Sequence, residues 1–133
     1  MYTDTLNMCQ NQQDFKDMIK QVIVIRKDLK MRRGKEIAQG SHASMAFLLK
    51  GDATKEQIQE WILNAQTKVC VSVDSEEELE EIYNKAKEAN LIVNMITDLG
   101  KTEFNGEPTK TCLAIGPNKG ELIDKITGHL KLR

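Results

Sequence analysis

The chain has 133 residues, 40% of them hydrophobic and 29% charged, with a formal net charge of −1. That is room for one ordinary domain, whose core needs neither a disulfide nor a metal to hold it. No apolar run nears the roughly 18 residues of a membrane span, and three scattered cysteines (Cys9, Cys70, Cys112) exclude a disulfide framework or a zinc ribbon.

The first residues, MYTDTLNMCQNQQDF, have neither a basic n-region nor an apolar h-region, so no secretory signal is expected. Residues 1–19 read as a poorly patterned arm and residues 20–133 as the domain. The β-branched run Gln21 to Ile25 predicts a buried strand. A loop, KDLKMRRG, follows. KEIAQGSHASMAFLLK then predicts a helix, with Ala38, His42, Met45 and Leu49 repeating at helical spacing and Gly51 as its stop. Thr54 and Gln57 form a capping box for a second short helix, TKEQIQEWILN. Lys68 to Val73 predicts a second strand. DSEEELEEIYNKAKEAN predicts a helix capped by Asp74 or Ser75, acidic at its start and lysine-bearing near its end, as the helix dipole favours. Leu91 to Ile96 and TCLAIGP predict the third and fourth strands, joined by TDLGKTEFNGEPTK. Asn118 is placed to cap a last helix through Ile126.

The order β-α-α-β-α-β-β-α predicts a three-layer α/β/α sandwich with helices on both faces of the sheet. Helical crossovers allow the first three strands to run parallel. The direct loop between the third and fourth allows an antiparallel pair, hence a mixed four-stranded sheet. Charge is segregated along the chain. Residues 20–35 hold seven basic side chains and one acid; residues 74–90 hold seven acids and two lysines. A basic face can attract a polyanion whatever the net charge. A solvated loop and a solvated helix face explain the same pattern more plainly.

Ligands of open α/β sheets sit outside the carboxyl ends of the strands. The polar loops KDLKMRRGK and TDLGKT both leave such ends and should converge. Lys35, Gln39 and His42 share one helix face from its first turn, where backbone N–H groups favour an anion. They form a polar stripe into a site; the alternative is that Gln39 and His42 are hydrogen-bonded packing residues and Lys35 a solvated surface lysine. Asp98 can orient or deprotonate a water, with Thr102 holding the water or a substrate oxygen, or it can be a turn former making a local Asx bond. Gly100-Lys101-Thr102 lacks the earlier glycine of a P-loop. Ser41 and His42, as helix neighbours, do not face each other. No HExxH, CxxC or GxGxxG occurs, so hydrolysis here would need no zinc and has no evident serine or cysteine nucleophile.

Four segments in order, KQVIVIRKDLKMRRGKEIAQGSHAS, ITDLGKT, TCLAIGP and IDKITGHLKL, resemble the archaeal and eukaryotic (class II) type of peptidyl-tRNA hydrolase. The resemblance runs from about Lys20 to Leu132. It implies a mixed four-stranded sheet between helices, a peptidyl-tRNA substrate whose ester is cut to recycle the tRNA, and no metal or organic cofactor. It also implies a cytoplasmic protein, in keeping with unpaired cysteines, and leaves a homodimer open. Carried over by residue, it marks Lys35, Gln39, His42, Asp98, Thr102 and Thr111 as the active site, with Thr109 as an alternative to Thr111. Leu99 and Lys101 depart from the family's usual alanine and arginine; lysine keeps the charge but loses the bidentate fork. The implied mechanism is attack of water on the ester carbonyl, with Asp98 and Thr102 handling the water and Lys35 stabilising the oxyanion or a tRNA phosphate. Arg26, Lys27, Lys30, Arg32, Arg33 and Lys101 would hold the acceptor stem through phosphates. An inactive relative serving as an RNA- or protein-binding module, with the acidic helix of residues 75–89 as a contact surface, is the competing expectation.

Overall fold

The computed structural model describes residues 18–100 and 104–133. The order is β1 (Ile19–Arg26), a single 3-10 turn (Lys27–Leu29), α1 (Arg33–Lys50), α2 (Lys55–Leu63), β2 (Lys68–Val73), α3 (Glu76–Glu88), β3 (Val93–Asp98), β4 (Thr109–Lys119) and α4 (Gly120–Thr127). The sheet runs β2-β1-β4-β3; β1 and β2 are parallel, and β4 is antiparallel to both β1 and β3. The predicted mixed sheet and its parallel first three strands are therefore present. Because β4 runs against its neighbours, its amino end lies between the carboxyl ends of β1 and β3.

The run Val22 to Ile25 of β1 is wholly apolar because both faces of the strand are covered there, as is usual for a central strand between helix layers. Val22 and Val24 face α3 and α4 in a core that includes Leu79, Ile82, Leu113, Ile115 and Ile123. Ile23 and Ile25 face the other way, in a cluster with Ala43 of α1 and Cys112 and Ala114 of β4. Small side chains on both partners let α1 lie close to the sheet. A third cluster, Ile19, Phe47 and Trp61, joins α2 to the far end of α1. There the Phe47 and Trp61 rings meet edge-on at 5.5 Å, and the Trp61 indole N–H donates to the Thr67 carbonyl at 3.0 Å.

Most helix signals hold. Thr54 and Gln57 make the reciprocal capping box, Ser75 caps α3 by accepting from the Glu78 N–H, and Gly51 ends α1 in the left-handed region at φ 68°. One expectation fails, and α1 buries a face other than the stripe that marked it. The stripe Ala38, His42, Met45, Leu49 is the exposed face of α1; the buried face is Gln39, Ala43, Ala46 and Phe47. Both stripes have helical spacing, and close approach to the sheet selects the one carrying two alanines. Asn118 does not cap α4. Its side-chain oxygen accepts from the Ile92 N–H at 2.9 Å, and Lys119 precedes the helix without a side-chain cap.

The last residues take a role no motif announces. The Ser72 N–H donates to the Lys131 carbonyl at 2.9 Å and the Arg133 N–H to the Cys70 carbonyl at 3.0 Å. This short segment covers the β2 edge, which would otherwise present unpaired backbone groups.

Candidate active site

The two loops converge. Asp98 closes β3, and Lys35 lies in the first turn of α1. The Lys35 ammonium donates to Asp98 Oδ1 at 2.7 Å, with side chains only 16% and 12% exposed. A charge-assisted bond this short between largely buried groups is strong. The second carboxylate oxygen accepts from the Gly100 N–H at 2.9 Å. Asp98 thus makes the local Asx bond of a turn former and also faces a buried cation. The Lys35 hydrogen bond holds the Asp98 carboxyl below the usual carboxylate range, against the opposing effect of desolvation; the Gly100 N–H and the charges of Lys35 and His42 add to the lowering.

One turn further along α1, Gln39 meets β4. The Thr111 hydroxyl donates to Gln39 Oε1 at 2.6 Å, with Thr111 fully buried and Gln39 nearly so. The Cys112 thiol donates to the Gln39 carbonyl at 3.3 Å. Since Lys35 and Gln39 are i and i+4 on one helix, the Lys35–Asp98 and Gln39–Thr111 pairs form one continuous polar seam between α1 and the strand ends. His42 stands on the exposed side of α1, so it is not a packing residue. Thr102 and Lys101 lie outside the described residues. Thr109 is half-buried, and its hydroxyl donates to the Glu107 carbonyl at 3.0 Å, a turn bond of its own loop. Ser41 donates to the Ile37 carbonyl within its helix at 2.8 Å.

The basic run divides. Lys30, Arg32 and Arg33 are exposed around the amino end of α1, beside Lys35. Lys27 is exposed and pairs with Asp74 at 3.3 Å, a surface ion pair of small energetic value. Arg26 departs from the expected open basic face. It is 9% exposed, its fork is taken by both Asp28 oxygens at 3.2 and 2.7 Å, and Nη1 donates to the Lys110 carbonyl at 2.9 Å. A guanidinium so enclosed has no fork left for a phosphate. The acidic helix is likewise more than a solvated face, because Glu80 pairs with Lys110 at 2.7 Å.

Among the described residues, no three His, Cys, Asp or Glu side chains converge to hold a metal ion, and no helix is long and apolar enough to cross a membrane. Sequence reasoning missed Cys112 and the Arg26–Asp28 pair. The Arg-x-Asp spacing was a visible signal only for the last.

A mixed α/β domain with a lysine–carboxylate pair and a buried Gln–Thr pair at its strand ends has the parts of a small hydrolase without a nucleophilic side chain. The chain belongs to the peptidyl-tRNA hydrolase PTH2 family, whose profile matches residues 19–133. It is 51% identical over 116 residues to the peptidyl-tRNA hydrolase of Methanocaldococcus jannaschii, covering 86% of this chain and 99% of the relative. It is 43% identical over 114 residues to the mitochondrial peptidyl-tRNA hydrolase 2 of Bos taurus, covering 85% of this chain and 63% of the relative. A solved structure of an Agrobacterium protein of unknown function shares the fold, with a TM-score of 0.57 at 13% identity over 87% of this chain and 98% of that one.

Proposed function

We propose that this chain hydrolyses the ester between a peptide and the terminal ribose of tRNA, releasing a reusable tRNA. The observation that carries the reading is the Lys35–Asp98 pair at 2.7 Å, set at the strand ends beside exposed basic groups. A carboxylate already held by an ammonium is a weak proton acceptor. Its main contribution would be to orient the attacking water, which loses a proton to solvent as its oxygen bonds the ester carbon; the bond to the ribose oxygen then breaks, and that oxygen leaves as a hydroxyl after taking a proton from solvent. Lys35 would face the developing oxyanion, where a fixed cation in a water-poor seam is most effective. Thr102 would share in holding the water. Thr111, fully buried, would hold the Gln39 side-chain oxygen so that the Gln39 amide N–H turns to the ester or ribose, and His42 would border the site from the exposed side of α1. An acyl ester is already activated, so positioning accounts for much of the rate.

Lys30, Arg32 and Arg33, with Lys27 and Lys101, would meet acceptor-stem phosphates. Arg26 leaves that set. Residues 19–133 would act as the hydrolase domain in the cytoplasm, one residue more than the sequence boundary because Ile19 packs in the third cluster, with the preceding residues as an appended arm. Pairing of two copies is supported by the exposed apolar stripe Ile37, Met45 and Leu49 on α1; a monomer by light scattering at assay concentrations would exclude it.

The test is hydrolysis of N-blocked aminoacyl-tRNA set beside free aminoacyl-tRNA, each with and without chelator. The expected result is release of tRNA from the blocked substrate, insensitive to chelator. No release at micromolar protein would refute the reading and favour a binding module.

A further inference from the structure

We propose that Arg26, locked by Asp28, is a positioning residue that aims the buried Thr111 hydroxyl at Gln39 of the site; this rests on the functional reading above. The register of β4 carries the inference. Against β3, Ile96 pairs with Cys112 and Thr97 with Lys110, so Thr111 is an extra residue in a bulge. A bulge re-aims a side chain that regular alternation would send elsewhere. Here it lets neighbouring residues Thr111 and Cys112 both reach Gln39 on the α1 side, whereas alternating residues of a regular strand face opposite ways.

A bulge also breaks the ladder, and the neighbouring strand does not repair it. Pairing of β4 with β1 extends only to Cys112, opposite Ile25. Beyond that point the Arg26 side chain replaces the missing strand, donating from Nη1 to the Lys110 carbonyl at 2.9 Å. Arg26 is itself fixed by the two-pronged bond to Asp28, with Glu76 at 3.8 Å. Glu80 holds the Lys110 side chain from α3 at 2.7 Å. Lys110, the residue immediately before the bulge, is therefore gripped by backbone and by side chain, and Thr111 inherits the position. A planar fork does this and an ammonium does not.

The test is a double-mutant cycle in the full chain, with N-blocked aminoacyl-tRNA as substrate. Arg26→Lys should lower kcat by about tenfold or more, since a misplacement of about 1 Å can cost about 100-fold. KM and its salt dependence should stay within about twofold of wild type, because no phosphate contact is lost. In a Thr111→Val background the Arg26→Lys factor should shrink to under about twofold, the signature of two residues acting as one unit. Circular dichroism checks folding; if Arg26→Lys does not fold, Asp28→Asn takes its place in the same cycle with the same expectation. Equal factors in both backgrounds would overturn the proposal, and so would a raised KM with a flatter salt slope, which would make Arg26 a phosphate contact. If Thr111→Val alone leaves kcat unchanged, the reading of the site falls and this proposal with it. If Thr111→Val is slow but the cycle is additive, only the positioning role falls.

Discussion

Replacing Asp98 by Asn separates the chemistry of the site from its architecture. The amide is isosteric and keeps an acceptor oxygen, but it removes the charge that Lys35 meets at 2.7 Å. Two separate effects follow. Hydrogen bonds to charged groups contribute roughly 1.5–3 kcal/mol, so stability should fall by up to about that much. A domain with about 5–15 kcal/mol in hand survives such a loss. Loss of a carboxylate that positions the attacking water should lower kcat about 100-fold or more, equivalent to about 2.7 kcal/mol of barrier. KM should change little, since the loss is confined to the transition state. The pH dependence adds a signature. Asp98 titrates below its usual value because the folded site favours the ionised form. Its stabilisation is therefore complete above the unfolded carboxylate pKa of about 3.9 and is lost as pH falls through the lowered folded value. Wild-type kcat should stay flat from neutral pH down to about 4, without an acid limb near 6. Stopped assays with N-blocked aminoacyl-tRNA at several pH values measure both quantities, with urea denaturation for stability. A kcat within threefold of wild type, or an acid limb near pH 6, would refute the role given to Asp98.

Arg32→Ala with Arg33→Ala should raise KM for tRNA substrates with kcat nearly intact, and flatten the log–log salt slope by roughly 0.7–0.9 per lost phosphate contact. Glu77→Gln is the control for that pair, since Glu77 is exposed whereas Glu80 holds Lys110; an unmoved KM in the arginine variant would place the tRNA elsewhere. Gly100→Ala should cost at least about 1–2 kcal/mol and slow catalysis, because φ is +79° and a Cβ would lie 2.5 Å from the Glu107 carbonyl oxygen, dragging the Gly100 N–H from Asp98; denaturation and kcat together check this. Burial pushes the Cys112 thiol up to about 11, so alkylation at neutral pH, read by peptide mass spectrometry, should leave Cys112 unmodified until the chain unfolds.

Local signals, which need only neighbours in the chain, were legible in the sequence. The capping box at Thr54 and Gln57, the stop at Gly51, the apolar run of β1 and the charge order of α3 each act within one or two turns, so the chain order of helices and strands could be read directly. So could the convergence of the Lys35 and Asp98 loops, because the right-handed crossovers of parallel strands bring their carboxyl ends to one side. Tertiary structure decided whatever depends on which surface is presented to a partner. Two stripes on α1 have equal helical spacing, and only the close approach of Ala43 to Cys112 and Ala114 chose between them. The fate of Arg26 lay beyond a linear reading as well: the same basic side chain reads as a phosphate contact until the end of β4 arrives with a bulge whose Lys110 carbonyl needs a donor. A charge in a sequence carries no burial, and the desolvation and pairing that turn it from a binding group into a structural one arise only when strands distant in the chain become neighbours.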